Sequence, residues 1–566
     1  MSKKQTPSEH EGVTKSDGSE KGSLAEVTVA ALEGEGLVKS RFDQLPIREA
    51  LWLFRRSLLV CFFVYTGRML EFFEIVMSGA ILASPGFIKQ FGDPNRQGKI
   101  AGVGSLDPNW VSAWSVILSA GQIFAYLWIS FFTDRFGRKP ALLLAWFFIS
   151  LAMVCLTVAR TPEVWLVGRL FTGMGTGIIA VVAGPYGMEV CATRIRGIVL
   201  SGAIFWGAIG TLGAALMMNF LTIRAPMNWH LPVYATWGPV GLMGICFLIV
   251  PESPWFHARR GNKDKAVKVL KRLYGNIPDY DFDEEYGIIA KTIEHERETI
   301  RRNKASSWTD VFKGTNGKRT FASLVIAACL QLGGYPILYT YSTYTYALVG
   351  IKNPFMTNII TASVQCGTVI LMMLTYDKYG RRPFVTWAYS FQAISMLLLG
   401  CLSFLPMTSS SRVPAITFIA CMWAFCSTIS GNSLIIYVTE LPSAVLRLKT
   451  GVLAQILNST LGIAANFASP PMLLALGLKS GFVFFGTATP IAILMWFFLP
   501  ETKWRSASEI DELYERKIPA WRWAKTRTNA EEQVMQAIQQ REAEEEAQAE
   551  AEAEAKAAGA DDADRR

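Results

Sequence analysis

The sequence predicts an all-α membrane protein: twelve transmembrane helices arranged as two pseudo-symmetric six-helix bundles. Three observations carry that expectation. Of the 566 residues, 51% are hydrophobic, and long stretches run almost without charge between short, strongly charged links. A membrane helix needs about 20 mostly apolar residues, and twelve such stretches occur, six on either side of a charged segment. Three short charged motifs then recur at matching places in the two sets.

In chain order, residues 1–55 are rich in Ser, Glu, Lys and Gly and read as a disordered tail. Apolar spans at 57–83, 110–131, 140–159, 163–187, 198–221 and 231–250 define a first bundle over 56–250. Residues 251–320 carry helical patterning but no span and read as a helical linker. Spans at 321–348, 356–376, 383–404, 412–438, 450–475 and 480–499 define a second bundle over 321–500. Residues 501–566 form a second tail. In it Trp504, Tyr514, Trp521 and Trp523 alternate with bases, as in a helix lying along a membrane face. An Ala/Glu/Gln run follows from 530.

The net charge of +9 does not point to nucleic acid, because Lys and Arg sit at span ends and in links. Cytoplasmic loops carry such an excess, so both termini and the linker are expected in the cytoplasm, and the loop at 84–109 outside. Residues 1–50 have no early apolar core of the kind a signal peptide shows. The nine cysteines, Cys61, Cys155 and Cys246 among them, lie almost entirely in apolar segments, without CxxC or His spacing. They read as packing residues, and no metal or other cofactor is expected. With no nucleophile–base set and no phosphate loop, an enzyme is not expected either.

The repeated motifs are the strongest signal. Asp134-Arg135-Phe136-Gly137-Arg138-Lys139-Pro140 returns as Asp377-Lys378-Tyr379-Gly380-Arg381-Arg382-Pro383 between the second and third span of each set. Glu189 precedes Arg196 by seven residues, as Glu440 precedes Arg447. Pro251-Glu252-Ser253-Pro254 and Pro500-Glu501-Thr502-Lys503 follow each sixth span. Carboxylates are favoured at helix N-termini, and arginines bridge to carboxylates on neighbouring helices. Asp134, Arg135, Arg138, Glu189, Arg196, Glu252, Asp377, Arg381, Glu440, Arg447 and Glu501 are therefore expected to form a gating network that holds the two halves together in one conformational state and breaks in the other.

These motifs together resemble the sugar porter branch of the major facilitator superfamily. Ser84-Pro85-Gly86-Phe87, Tyr341-Ser342-Thr343-Tyr344 and Leu513-Tyr514-Glu515-Arg516 are similar to stretches of fungal proton-coupled permeases of the maltose or α-glucoside type. The resemblance implies the major facilitator fold and proton-driven uptake of a sugar or related polyol through a central cavity. It implies a multi-pass plasma-membrane protein whose partners are a sugar-like solute, protons and the bilayer, with a monomer expected. Its first-span acid, eleven positions before a proline, corresponds to Glu74, and its fourth-span arginine to Arg169.

The residues reach the same pair independently. Charges inside a span are costly and mark functional sites, and the first span holds Arg68, Glu71 and Glu74 while the fourth holds Arg169. Proton coupling is therefore placed on Glu74 and Arg169, with Arg68 and Glu71 three residues apart on one helix surface. A neighbouring guanidinium favours a charged carboxylate and loss of water disfavours it, so breaking such a contact would move a proton.

The solute site departs from the family pattern. Ile204, Leu330, Pro336, Ile435 and Thr236 stand where sugar porters usually carry an amide or an aromatic. Gln331, Tyr335, Tyr341, Asn432 and Asn458 are the expected replacements. Gly173-x-Gly175-x-Gly177 reads as close helix packing. Transport or export of another small metabolite, and a non-transporting sugar sensor, remain alternatives.

Overall fold

The structure is a computed structural model that describes residues 46–93, 103–275, 277, 280–303, 308–406, 411–443, 446–503, 505, 507–529, 532 and 540. The tail before residue 46, Trp504 and nearly all of the run from 530 lie outside the described residues, as do the side chains of Asp377 and Arg447. The fold is that of the compact unit Phe42–Ala524.

The first bundle comprises α1 (Arg55–Ile81), α2 (Pro108–Phe136), α3 (Arg138–Val158), α4 (Pro162–Val190), α5 (Arg196–Arg224) and α6 (His230–Ile249). The second comprises α7 (Gly314–Leu332), α8 (Pro354–Tyr379), α9 (Arg381–Cys401), α10 (Arg412–Glu440), α11 (Arg447–Leu476) and α12 (Ser480–Phe498). Local chemistry sets their starts. Pro108, Pro162 and Pro354 occupy first helical positions, where a missing N–H costs nothing. Asp107 and Asn353 accept hydrogen bonds from Asn109 N at 3.0 Å and Met356 N at 3.1 Å, capping exposed amides.

Nine stretches among the described residues are long and apolar enough to cross a membrane, and the last, Lys449–Phe498, holds both α11 and α12. That leaves α1, interrupted by Arg68, Glu71 and Glu74, and α7. Side chains such as Leu127, Phe131, Leu374 and Phe418 stay exposed on the outer surface, where lipid would cover them. Inside, α4 lies so close to α2 that a Cβ on Gly173 would sit 2.1 Å from the Leu118 carbonyl. The bundles meet where α2 packs on α11 and α5 on α8.

The expected single span at 321–348 is broken. After Leu332 come Gly333, Gly334 at φ +89°, a π turn Pro336–Thr340 and a short helix Ser342–Leu348. Proline cannot donate to the preceding turn, so the Leu332 carbonyl, four residues before Pro336, is released and accepts from Thr487 Oγ1 at 2.9 Å. The Gly333 carbonyl accepts from Gln392 Nε2 at 3.0 Å and Trp423 Nε1 at 2.8 Å. Broken helices are tolerated in a bilayer only where protein supplies such partners.

Residues 47–53, expected as tail, form a helix with Ala50 buried, and the Phe54 ring meets Tyr274 edge-on at 5.4 Å. The linker contains helices Pro254–Arg259, Lys263–Tyr274 and Phe282–Asn303. Beyond α12, helix Ala507–Glu515 docks by an Asp511–Arg319 ion pair, with Arg319 over the Tyr514 ring at 4.7 Å. Trp523 is buried against Tyr514 rather than laid along a surface.

Candidate functional site

The basic links of both bundles share one face, and their motifs build the same device twice. Glu252 leaves α6 and reaches back to the start of α3, accepting from Arg138 N at 2.8 Å and Lys139 N at 3.1 Å, as well as from Ser253 N at 2.8 Å. Glu501 serves α9 in the same way, accepting from Arg381 N at 3.0 Å, Arg382 N at 3.1 Å and Lys503 N at 3.0 Å. The first amides of a helix have no partner within it, and a carboxylate there meets the positive end of the dipole.

The glycine before each helix makes room for this. Gly137 and Gly380 hold φ +107° and +96°, and a Cβ would lie 2.3 Å from Glu252 Oε2 in one case and 2.7 Å from Glu501 Oε2 in the other. Arg138 pairs through Nη2 with Glu189 at 3.1 Å and through Nη1 with Asp134 at 3.4 Å. Arg381 pairs with Glu440. The hydroxyls of Tyr186 and Tyr437 donate to the carbonyls of Pro251 at 2.8 Å and Pro500 at 3.2 Å.

Among the described residues each network ties the third helix, the fourth and the exit of the sixth of its own bundle, rather than joining the two halves as expected, because each arginine has its carboxylate on the neighbouring helix of the same bundle. Arg135 contributes its carbonyl, which accepts from Arg260, and Arg196 lies over the Trp255 ring at 5.9 Å. The tyrosines were missed by sequence reasoning, although Tyr-x-x-Glu occurs in both halves as Tyr186…Glu189 and Tyr437…Glu440.

Burial pushes the Glu252 carboxyl up, against backbone amides that favour its charged form. A value raised on folding contributes stability that is fully present below the ordinary carboxylate range and is lost as pH rises through the raised value. Glu252→Gln is therefore expected to flatten that part of the Tm-versus-pH curve of the purified protein.

The buried charges lie toward the opposite face. Glu74 on α1 is 1% exposed, and neither of its carboxylate oxygens has a hydrogen-bond partner. Arg169 on α4 approaches it at 3.9 Å while donating to the hydroxyl of Ser78, one turn further along α1. One turn in the other direction, Arg68 and Glu71 form a direct ion pair. A buried, unsatisfied carboxylate is expensive, and spans keep such groups for function. Ser78 carried no sequence signal; a serine on an apolar helix is ordinarily a packing residue.

Of the solute candidates, Gln331 and Asn458 face each other across α7 and α11 at 3.5 Å, leaving Gln331 Oε1 without a partner. Tyr335 stacks on Tyr339 at 4.5 Å, and Tyr339 meets Thr211 of α5 at 3.1 Å. Tyr341 is fully buried and donates to the Asn466 carbonyl at 3.3 Å. Asn432 is half-buried on α10, beside Gly431, which packs on Leu330.

Tyr341 belongs to a seal between the bundles. Ser112 of α2 donates to the Phe467 carbonyl of α11 at 2.8 Å. At Gly79, a Cβ would sit 1.8 Å from the Thr340 carbonyl. These contacts lie at the face opposite the basic links.

A family model described as "Sugar (and other) transporter" matches residues 60–514. The chain is 27% identical over 467 residues to "MFS transporter fmqE" of Aspergillus fumigatus, covering 78% of this chain and 83% of that one. It is 25% identical over 503 residues to "General alpha-glucoside permease" of Saccharomyces cerevisiae, covering 86% and 80%. Among solved structures it matches the inward open conformation of the xylose transporter XylE from E. coli with TM-score 0.65 and 18% identity, covering 81% and 98%. That likeness is one of fold.

Proposed function

The chain belongs to the sugar (and other) transporter family, and from that premise we propose that it couples proton entry to uptake of a sugar, an α-glucoside or a related polyol. It is a multi-pass membrane transporter of the major facilitator fold. The observation that carries proton coupling is Glu74, buried without a hydrogen bond and 3.9 Å from Arg169. Its charge is balanced by one imperfect contact, so a small change in α1 against α4 would alter its hold on a proton. The α-glucoside permease among the relatives supports the choice of solute class.

In this reading the basic face and both termini are cytoplasmic, the membrane is the plasma membrane, and the protein works as a monomer among lipids. The Arg138–Glu189 and Arg381–Glu440 networks hold each bundle rigid as the two rock. The solute lies between the bundles, touching Gln331, Asn458 and Tyr335, with Asn432 nearby. A second reading, transport or export of a different small metabolite, is favoured by the apolar Ile204 and Leu330 at usual amide positions. Each sugar hydroxyl left without a partner costs about 1–3 kcal/mol.

Counterflow into liposomes against sugars, polyols and organic acids tests the solute. Exchange of a sugar that accelerates with an inward proton gradient is the expected result. Exchange confined to organic acids would overturn it.

The seal offers a separate check. Gly79→Val is expected to part α1 from the π turn and open the outer side. A cysteine placed at Ser112 should then react with a membrane-impermeant maleimide in the Gly79→Val background and stay unreactive without it.

A further inference from the structure

We propose that Cys61 and Cys191 are an oxidant-responsive pair whose disulfide pins α1 to the end of α4. Their sulfurs lie 3.4 Å apart, although the residues are 130 positions apart in the chain, and both are buried. Cys61 sits in the second turn of α1, and Cys191 is the residue directly after α4, its N–H bonded to the Gly187 carbonyl at 3.1 Å. A disulfide bond is about 2.05 Å long, so the thiols already touch and only a small approach separates them from a bond.

The surroundings hold the two sulfurs in register. Tyr65, one turn along α1 from Cys61, packs its hydroxyl so closely on Gly187 that a Cβ there would be 2.2 Å away. The linker's Tyr274 donates to the Val190 carbonyl at 2.6 Å, next to Cys191. The pair is therefore covered by protein, and buried thiols react slowly. Oxidation needs the α1–α4 seam to open toward the basic face, which makes the pair a sensor of that opening as well as of oxidant.

The co-reactant is hydrogen peroxide. One sulfur attacks the peroxide oxygen, giving a sulfenic acid and a first water once its proton is taken up. The second sulfur attacks the sulfenic sulfur, forming the S–S bond and releasing a second water. Two thiols lose one hydrogen each and two electrons in all, and the peroxide is reduced to two waters. A thiol reductant reverses the step.

The same two helices carry Glu74 and Arg169. A cross-link at one end of the seam stops α1 from tilting on α4, so the Glu74–Arg169 contact is held fixed. This consequence rests on the proton-coupling reading above; the disulfide itself does not.

The test uses the full-length protein in liposomes, treated with hydrogen peroxide and then with dithiothreitol. Non-reducing peptide mass spectrometry is expected to show a Cys61–Cys191 linked peptide, and gradient-driven uptake is expected to fall several-fold and return on reduction. Cys61→Ser and Cys191→Ser, with Cys61→Ala as a second form, should keep uptake and lose its sensitivity to peroxide. Absence of the linked peptide while other cysteines are oxidised would overturn the site. A linked peptide with uptake unchanged would overturn the pinning. Uptake that ignores the pH gradient before any treatment would count against the coupling reading alone, and the linked peptide would still decide the site.

Discussion

Glu74→Gln is expected to abolish accumulation driven by a pH gradient while leaving solute exchange at equal concentrations. With one proton per solute, each pH unit supplies about 1.4 kcal/mol, or about tenfold accumulation. Glutamine keeps the size of the side chain and its place beside Arg169, but has no proton to carry at any pH in the physiological range. The buried guanidinium then loses its counter-charge. Removing one partner of a buried pair costs about 3–5 kcal/mol, so some loss of folded protein is expected too. Counterflow separates the two effects, because it needs a folded, moving transporter but no net proton transfer. Glu71→Gln is the control: Glu71 is directly paired with Arg68, and its loss should lower the amount of folded protein without uncoupling what remains. Uncoupling by Glu71→Gln and none by Glu74→Gln would move the proton site one turn along α1.

The second large effect is expected at the paired glycines. Gly137 adopts φ +107°, ψ 176° and Gly380 φ +96°, ψ 161°, a region open essentially to glycine alone that costs other residues about 1–3 kcal/mol. A methyl group would in addition strike the carboxylate that caps the next helix, at 2.3 Å in the first bundle, and overpacking of this kind adds about 1–3 kcal/mol. Gly137→Ala and Gly380→Ala should each lower the Tm sharply and reduce the yield of monodisperse protein. Combining Gly137→Ala with Glu252→Ala separates the causes. The cost of the glycine change should shrink when the carboxylate is gone, since the steric part disappears while the backbone part stays. A cost that is the same in both backgrounds would mean that Glu252 does not set the limit at Gly137.

Much of this was legible in the chain because membranes and duplication leave coarse marks. Apolar length is forced by bilayer thickness, and the recurrence of the Gly-Arg, Glu and Pro-Glu motifs reports two copies of one design. The identity of Glu74 and Arg169 was also legible, since a charge in an apolar run stands out. The break after α7 was not: Gly333, Gly334 and Pro336 announce a weak helix, yet the freed carbonyls are satisfied by Gln392, Trp423 and Thr487 on other helices. The reach of Glu252 and Glu501 back to the starts of α3 and α9, and the serine that shares Arg169, were silent for the same reason.

The sequence by itself determined the number of spans, the duplication, the charged face and the residues that cannot sit in lipid without purpose. Those follow from transfer free energies, which act on each segment separately. Which charges meet was decided only by the tertiary structure. It drew Arg138 to Glu189, left Glu74 at 3.9 Å from Arg169, and set Cys61 against Cys191. A helix shows which residues share its face, but the partner across the seam is chosen by packing between elements far apart in the chain, where small residues such as Gly79, Gly173 and Gly187 set how closely the backbones approach.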